Sequence, residues 1–320
     1  MMTAMTAGLL FADARTLLAV QPDALALDNR SAEESATGAK KTNLKFQKQG
    51  GIVYKQGNAN GEDYELKLDV YVPEGKGPFP AILAIHGGSW TSGTKLHLLR
   101  HAWRMAARGY VVVAINYRHA PRHKFPCQIQ DCKQAVRWIR HNASAYKIDP
   151  EKIGAYGYSA GGHLAALLGT TDKSDGLEGE VDKPFVNCGT RVQAVAIGGA
   201  PCEFDWAGSN TLAFWIGAKK DRHPERYAAA APITYIDRDD PPFYVYHGER
   251  DFLVPMSSSE KMHAALCAAN VQCSYHVIRH KGHFATFSDF EELDCVIDFF
   301  DETLQPESTM HNGAAGATNQ

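Results

Sequence analysis

A serine stands between glycines in Gly157-Tyr158-Ser159-Ala160-Gly161-Gly162. The residues before it, Lys152-Ile153-Gly154-Ala155-Tyr156, read as a short buried strand. Those after it, His163-Leu164-Ala165-Ala166-Leu167-Leu168, read as a helix. A strand-to-helix turn of this kind admits only small residues beside the serine, and its strained backbone lifts the hydroxyl clear of the sheet, where a carbonyl carbon can reach it. The chemistry this suggests is nucleophilic attack on an acyl group. Five residues alone are a weak signal, so the weight falls on the partners such chemistry requires.

Attack by a hydroxyl needs a base, a group that orients the base, and donors for the developing oxyanion. The run His86-Gly87-Gly88-Ser89-Trp90 follows the apolar stretch Ala81-Ile82-Leu83-Ala84-Ile85. Its two glycines let the backbone turn and expose N–H groups, so Gly88 and Ser89, with Ala160 after the serine, are the expected oxyanion-hole donors; the alternative is a plain tight turn. Asp251, a few residues past the strand reading Phe243-Tyr244-Val245-Tyr246, is the candidate acid, with Glu249 as its rival. In His280-Lys281-Gly282-His283-Phe284, His283 is the candidate base and His280 its rival. The chain order Ser159, Asp251, His283 is neither the chymotrypsin nor the subtilisin order. His86, Trp90 and Tyr158 are expected around a substrate pocket, with His86 bracing the loop. Trp206, Phe214 and Trp215 are further rim aromatics that could equally pack against a cap.

Other histidines and cysteines carry less. His97 and His101 have i, i+4 spacing without an intervening glutamate, and Pro121 breaks any helix that would align His119 with His123, so no metal site is expected. His163 is expected to pack within its helix, and Arg118 with Asp131 could form an ion pair beneath the site. Seven cysteines include no CxxC; Cys267 with Cys273, across a helix-to-strand turn, is the local pair that could bridge, and free thiols are the default.

The elements that must position these residues follow from periodicity. Residues 64–72 alternate as a half-exposed strand, while 81–85, 110–115, 192–197 and 243–246 are apolar throughout, as strands covered on both faces are. Strand 274–278 follows them. Helices are predicted over 96–108, 127–142, 257–269 and 287–300, with Ile129, Cys132, Val136 and Ile139 on one stripe. This alternation predicts an α/β fold: a mostly parallel central sheet, helices on both faces, and the site at the carboxyl ends of the strands. The irregular stretches 172–189 and 203–232 can supply short cap loops. Residues 1–48 read as a poorly ordered tail, 49–303 as one domain and 304–320 as a second tail.

The stretch from about 64 to 300 resembles an α/β-hydrolase of the esterase/lipase kind, near the hormone-sensitive-lipase-like group and its carbohydrate-esterase and feruloyl-esterase-like branch. The resemblance rests on His86-Gly87-Gly88-Ser89-Trp90, Asn116-Tyr117-Arg118, Phe125-Pro126 with Asp131-Cys132, and Ile148-Asp149-Pro150. It continues through Ser159-Ala160-Gly161-Gly162-His163-Leu164-Ala165 and Asp239-Asp240-Pro241-Pro242-Phe243 leading into His247-Gly248. Ser89 replaces the third glycine of lipase-type loops, and the His-Gly-Gly-x-Trp form also occurs in kynurenine formamidases. The resemblance implies a Ser-His-Asp carboxylesterase working through an acyl-enzyme on short-chain or aromatic acyl esters, including carbohydrate-linked ones, without metal or organic cofactor. The alternatives are an aryl-formamide amidohydrolase and a non-catalytic binding module of the same fold.

Composition bounds the partners. The 320-residue chain is 44% hydrophobic and 22% charged with a net charge of −3, an ordinary globular balance that offers no case for nucleic acid. No apolar run approaches the ~18 residues of a membrane span, so the chain is expected to be soluble. The segment 4–20 is apolar but interrupted by Asp13 and Arg15 and lacks a basic start, which reads as cytoplasmic by default, or secreted if the true start lies upstream. Oligomeric state is not legible.

Overall fold

The computed structural model describes residues 43–59 and 61–305. Most of the expected N-terminal tail and nearly all of the C-terminal one lie outside the described residues. Eight strands form one sheet in the order β1-β2-β4-β3-β5-β6-β7-β8. In chain order the elements are β1 (Phe46–Ala59), β2 (Glu62–Pro73), β3 (Phe79–Ile85), α1 (Leu99–Ala107), β4 (Val111–Ile115), α2 (Cys127–His141), β5 (Ile148–Tyr158) and α3 (Ala160–Thr170). There follow β6 (Ala194–Gly198), α4 (Ala213–Ile216), α5 (Pro224–Ala230), β7 (Phe243–Gly248), α6 (Ser257–Ala268), β8 (Cys273–Ile278), α7 (His283–Phe287) and α8 (Phe290–Leu304). Strands β3 to β8 are mutually parallel; β1 and β2 are antiparallel additions at one edge.

The apolar strands are buried on both sides because helices cover both faces. In β3, Ala81, Leu83 and Ile85 join the core beneath α2, α3 and α6, while Ile82 and Ala84 join the core beneath α1 and α8. The α2 stripe Ile129, Cys132, Val136 and Ile139 is wholly buried, as its spacing predicts. All eleven residues of α3 are buried, so the helix that follows the serine is enclosed on every side.

Two elements differ from expectation. Strand β1 begins at Phe46, inside the segment read as a tail. Its polar, glycine-containing sequence FQKQGGIVYKQGNA has no clean alternation, and its register breaks between Gln49 and Ile52 and again between Val53 and Lys55. It is held from outside: the buried Asp69 carboxylate accepts from Gly51 N–H at 2.9 Å and pairs with Lys48 and Lys95, and Tyr54 donates to Asn116 O at 2.6 Å. The helix predicted over 287–300 runs from Phe290 to Leu304, because Asp289 caps it by accepting from the N–H groups of Glu291 and Glu292, and the separate α7 ends before it at Phe287.

Five histidines are buried among the described residues, and burial shifts three of them outside the acid–base pair. His101 on α1 meets Phe287 O at 3.1 Å, His163 lies on α3, and His86 follows β3. Burial pushes the pKa of His86 down to about 3 and those of His101 and His163 to about 4, against the upward pull of one backbone carbonyl each. Their folded pKa values lie below the unfolded one, so between pH ~6.5 and ~4 the unfolded chain binds protons that the folded chain does not. Stability therefore rises with pH across that window and is lost as pH falls through it, by roughly 1.4 kcal/mol per pH unit for each histidine. Urea midpoints measured from pH 7 to pH 4 are expected to drop steeply, and His101→Asn to flatten the slope; an unchanged slope in that variant would exclude His101 as a contributor.

Candidate active site

Ser159 occupies the turn between β5 and α3 with φ 56° and ψ −126°, in a region that non-glycine residues rarely adopt. Its neighbours explain how the turn closes. A Cβ on Gly157 would lie 2.2 Å from Gly161 O, and one on Gly161 would lie 2.1 Å from Ile85 O, so neither position admits a side chain. Ser159 N–H donates to Gly198 O at 2.8 Å, which pins the turn to the end of β6, and Ser159 O accepts from His163 N–H at 2.9 Å, which starts α3.

The loop after β3 lies directly against this turn. A Cβ on Gly87 would come within 3.2 Å of Ser159 Cβ. The loop's carbonyls turn away: Gly87 O accepts from His86 Nδ1 at 2.8 Å, and Gly88 O accepts from Thr91 N–H at 3.0 Å and Ser92 N–H at 3.1 Å. In a trans peptide the N–H points opposite to the C=O, so the N–H groups of Gly88 and Ser89 face the other way. Among the described residues, neither of these nor Ala160 N–H, at the first turn of α3, has a protein acceptor. Gly88 has φ +122°, and a Cβ there would lie 2.2 Å from Ser92 O, which is why glycine stands at this position.

Asp251 and His283 are brought together. His283 Nδ1–H donates to Asp251 Oδ2 at 2.5 Å, and both side chains are almost wholly buried. The two loops that carry them are zipped by backbone bonds, Glu249 N–H to Ile278 O at 3.0 Å and Arg250 N–H to Lys281 O at 2.9 Å. The carboxylate is saturated with donors. Oδ1 accepts from Leu253 N–H at 2.9 Å and Val254 N–H at 3.0 Å, while Oδ2 also faces His247 Nε2 at 3.3 Å. Burial raises the pKa of Asp251, but bonds from His247, His283 and Val254 N–H outweigh it and hold the group well below the usual carboxylate range. His247 is itself oriented by α6, through Ser259 Oγ at 2.8 Å from Nδ1. The imidazole of His283 reaches the β6 end: a Cβ on Gly199 would lie 3.3 Å from its Cε1, one residue beyond the carbonyl that holds Ser159.

The rivals lie elsewhere. Glu249 and His280 pair with one another at 3.3 Å on the surface, and Glu249 also accepts from His280 N–H at 2.8 Å.

The residues expected around the pocket turn inward instead. Tyr158 is buried and donates its hydroxyl to His283 O at 2.7 Å, bracing the backbone that carries the imidazole. Trp90 is buried, stacks on Trp215 at 3.7 Å and 2°, and donates Nε1–H to His163 Nδ1 at 3.2 Å. His163 in turn donates Nε2–H to Ala230 O at 2.7 Å. His86 is fully buried and stacks on Tyr117 at 4.3 Å. The Tyr158 hydroxyl and the Trp90 indole N–H each found a partner in the protein, and His86 is bonded through Nδ1 alone, which residue type and position in the chain could not reveal. Of the other aromatics, Trp206 is half-buried and donates to Glu203 O at 2.8 Å, while Phe214 is exposed. Arg118 and Asp131 do pair, at 2.7 Å, with Lys55 as a third member.

Sequence reasoning passed over the residues that flank the pair. Phe252 and Leu253 follow Asp251, Phe284 follows His283, and all are exposed, Phe252 to 81% and Phe284 to 66%. The cue was available: large apolar side chains in loops directly after the candidate acid and base.

The geometry can be set beside known proteins. The BD-FAE family model matches residues 68–266. Esterase LipC of Mycobacterium tuberculosis is 32% identical over 70% of this chain and 58% of its own length. A truncated carbohydrate esterase from gut microbiota superposes with TM-score 0.70 at 27% identity, covering 83% of this chain and 99% of that one. A bifunctional GH43-CE protein of Bacteroides eggerthii gives TM-score 0.72 at 32% identity over 80% of this chain and 38% of that one. The chain spans about half the length of the curated relatives it matches. No helix among the described residues is long and apolar enough to cross a membrane. With the sheet order, the serine turn and the matched family model in agreement, the chain belongs to the BD-FAE family of α/β-hydrolase-fold esterases.

Proposed function

We propose that the protein is a carboxylic ester hydrolase with Ser159 as nucleophile, His283 as general base and Asp251 as the group that orients it. The observation that carries this reading is the convergence, at one edge of the sheet, of a strained serine, a carboxylate-bound imidazole and a loop with unpaired N–H groups. His283 takes the serine proton as Oγ attacks the ester carbonyl carbon. The tetrahedral oxyanion is held by the N–H groups of Gly88, Ser89 and Ala160, each worth up to ~3–4 kcal/mol. The alcohol leaves with the proton from His283, and water repeats the sequence on the acyl-enzyme. Asp251, ionised and supplied with three donors, keeps the proton on His283 Nδ1 so that Nε2 is free to act as base.

Short-chain or aromatic acyl esters, including ester groups on carbohydrates, are the proposed substrates. The exposed Phe252, Leu253 and Phe284 beside the proposed acid and base offer apolar surface for such groups, and the carbohydrate esterase among the structural relatives supports the carbohydrate reading. His86, Trp90 and Tyr158 act as supports for the loop and the histidine.

Ser159→Ala and His283→Ala are expected to lower kcat at least ~10⁴-fold and Asp251→Asn ~10³–10⁴-fold, with Glu249→Gln within about twofold of wild type. Retained activity in Asp251→Asn with loss in Glu249→Gln would reassign the acid. A fluorophosphonate probe should label Ser159, whereas a folded but unlabelled protein would favour a binding module.

Tyr158→Phe, which removes only the bond to His283 O, is expected to cut kcat ~5–10-fold at constant KM, the effect of losing about 1 kcal/mol of positioning. A raised KM with unchanged kcat would return Tyr158 to the pocket wall. Turnover of p-nitrophenyl acetate, methyl ferulate and N-formylkynurenine compared side by side should favour the esters; a more than tenfold preference for the formamide would overturn the ester assignment.

A further inference from the structure

Away from the site, His263 and Cys267 on α6 meet Cys273 at the start of β8, with all three ligand atoms within 4.8 Å of one another. The sulfurs of Cys267 and Cys273 are 3.0 Å apart, about 1 Å longer than a bonded pair, and His263 Nε2 is 3.5 Å from Cys267 Sγ. Local backbone chemistry causes this meeting. Asn270 takes φ 60°, Val271 N–H bonds Leu266 O and Asn270 N–H bonds Cys267 O, both at 3.0 Å. This is a Schellman ending, closed by the buried contact positions Val271 and Leu266, and it turns the chain back so that Cys273 lies beside Cys267. Both thiols are free; Cys267 is exposed and Cys273 half-buried, so solution reagents can reach the pair.

We propose that Cys267 and Cys273 are a reversible disulfide site that ties the end of α6 to the start of β8. The oxidant is a low-molecular-weight disulfide. His263 Nε2 accepts the Cys267 proton, and the thiolate attacks one sulfur of the oxidant, expelling one thiolate. Cys273, as it loses its own proton, attacks Cys267 Sγ and expels the second. Two protein thiols and one small disulfide become one protein disulfide and two small thiols, and two electrons pass to the oxidant. Burial, and then the neighbouring Cys267, push the Cys273 thiol up to about 12, which fits Cys267 as the first nucleophile and Cys273 as the resolving one. The same three donors could be read as a metal site, but the sulfurs stand 3.0 Å apart, closer than the roughly 3.8 Å between two thiolates on a tetrahedral zinc.

The test uses the reduced, desalted full chain incubated with oxidised glutathione. Cleavage after Lys261 and Arg279 releases one peptide, 262–279, that holds both cysteines. It is expected to emerge two hydrogens lighter and resistant to alkylation, returning to the free form with dithiothreitol. The melting temperature should rise by roughly 2–5 °C on oxidation, and not in Cys273→Ser. Glutathione retained on Cys267 without the cross-link, a peptide that remains fully alkylated, or a reduced protein that binds Zn²⁺ one-to-one through these residues and resists oxidation would each overturn the proposal.

Discussion

The approach of α3 to the end of β3 is the constraint on which the rest of this molecule depends. Ile85 O lies 2.1 Å from where a side chain on Gly161 would begin, and Gly161 O stands as close to the corresponding point on Gly157. With both positions bare, the chain reverses from strand to helix within a few residues, and Ser159 is left at φ 56°. The cost of that conformation, of order 1–3 kcal/mol, is offset by the complete burial of α3. Because β5 sits at the middle of the sheet, flanked by β3 and β6, the ends of both neighbours fall beside the serine. One supplies the His86 loop, and the other supplies Gly198 and Gly199. Parallel order then carries the ends of β7 and β8, with Asp251 and His283, to the same edge.

Placing a buried carboxylate there would be costly without donors, and the fold provides three with a further imidazole beside them. Two are backbone N–H groups of the loop that Asp251 itself begins, so the segment 251–254 organises its own acid. The third is the proposed base. The further imidazole, His247, is held by Ser259 and by Val254 O at 3.0 Å, while the adjacent Ser258 accepts from Cys202 N–H at 2.7 Å and so ties α6 to the segment after β6. The start of α6 is therefore part of the electrostatic support, which no reading of the serine, aspartate and histidine motifs alone would include.

The sheet and the tight turns at its strand ends were legible in the sequence because both leave local marks. Continuous apolar runs identify buried strands, and glycines beside Ser159 and His86 identify close backbone approaches. Polar edge strand β1 left no such mark, since its place is set by Asp69, Lys95 and Asn116 from distant parts of the chain. Asp251 and His283 differ from Glu249 and His280 in direction: two and three residues earlier in the chain, the latter side chains emerge on the surface and pair with each other.

The choice between rim and packing was open for the aromatics for the same reason, and their positions bear on specificity. Trp90 hands its N–H to His163, and His163 hands its own to Ala230 O, so the loop after β3, α3 and the segment before β7 are joined through one imidazole. A neutral histidine is needed for that relay, one nitrogen accepting and the other donating, and burial keeps His163 neutral by lowering its pKa to about 4. Side chains committed in this way can stiffen the wall behind the proposed donors but cannot adapt to a substrate. Under the proposed function, apolar recognition falls to surfaces with unspent contact area, and beside the proposed acid and base those are Phe252, Leu253 and Phe284. Each lies within two residues of Asp251 or His283, so a change in these loops that retuned substrate choice would also act on the geometry of the charge pair.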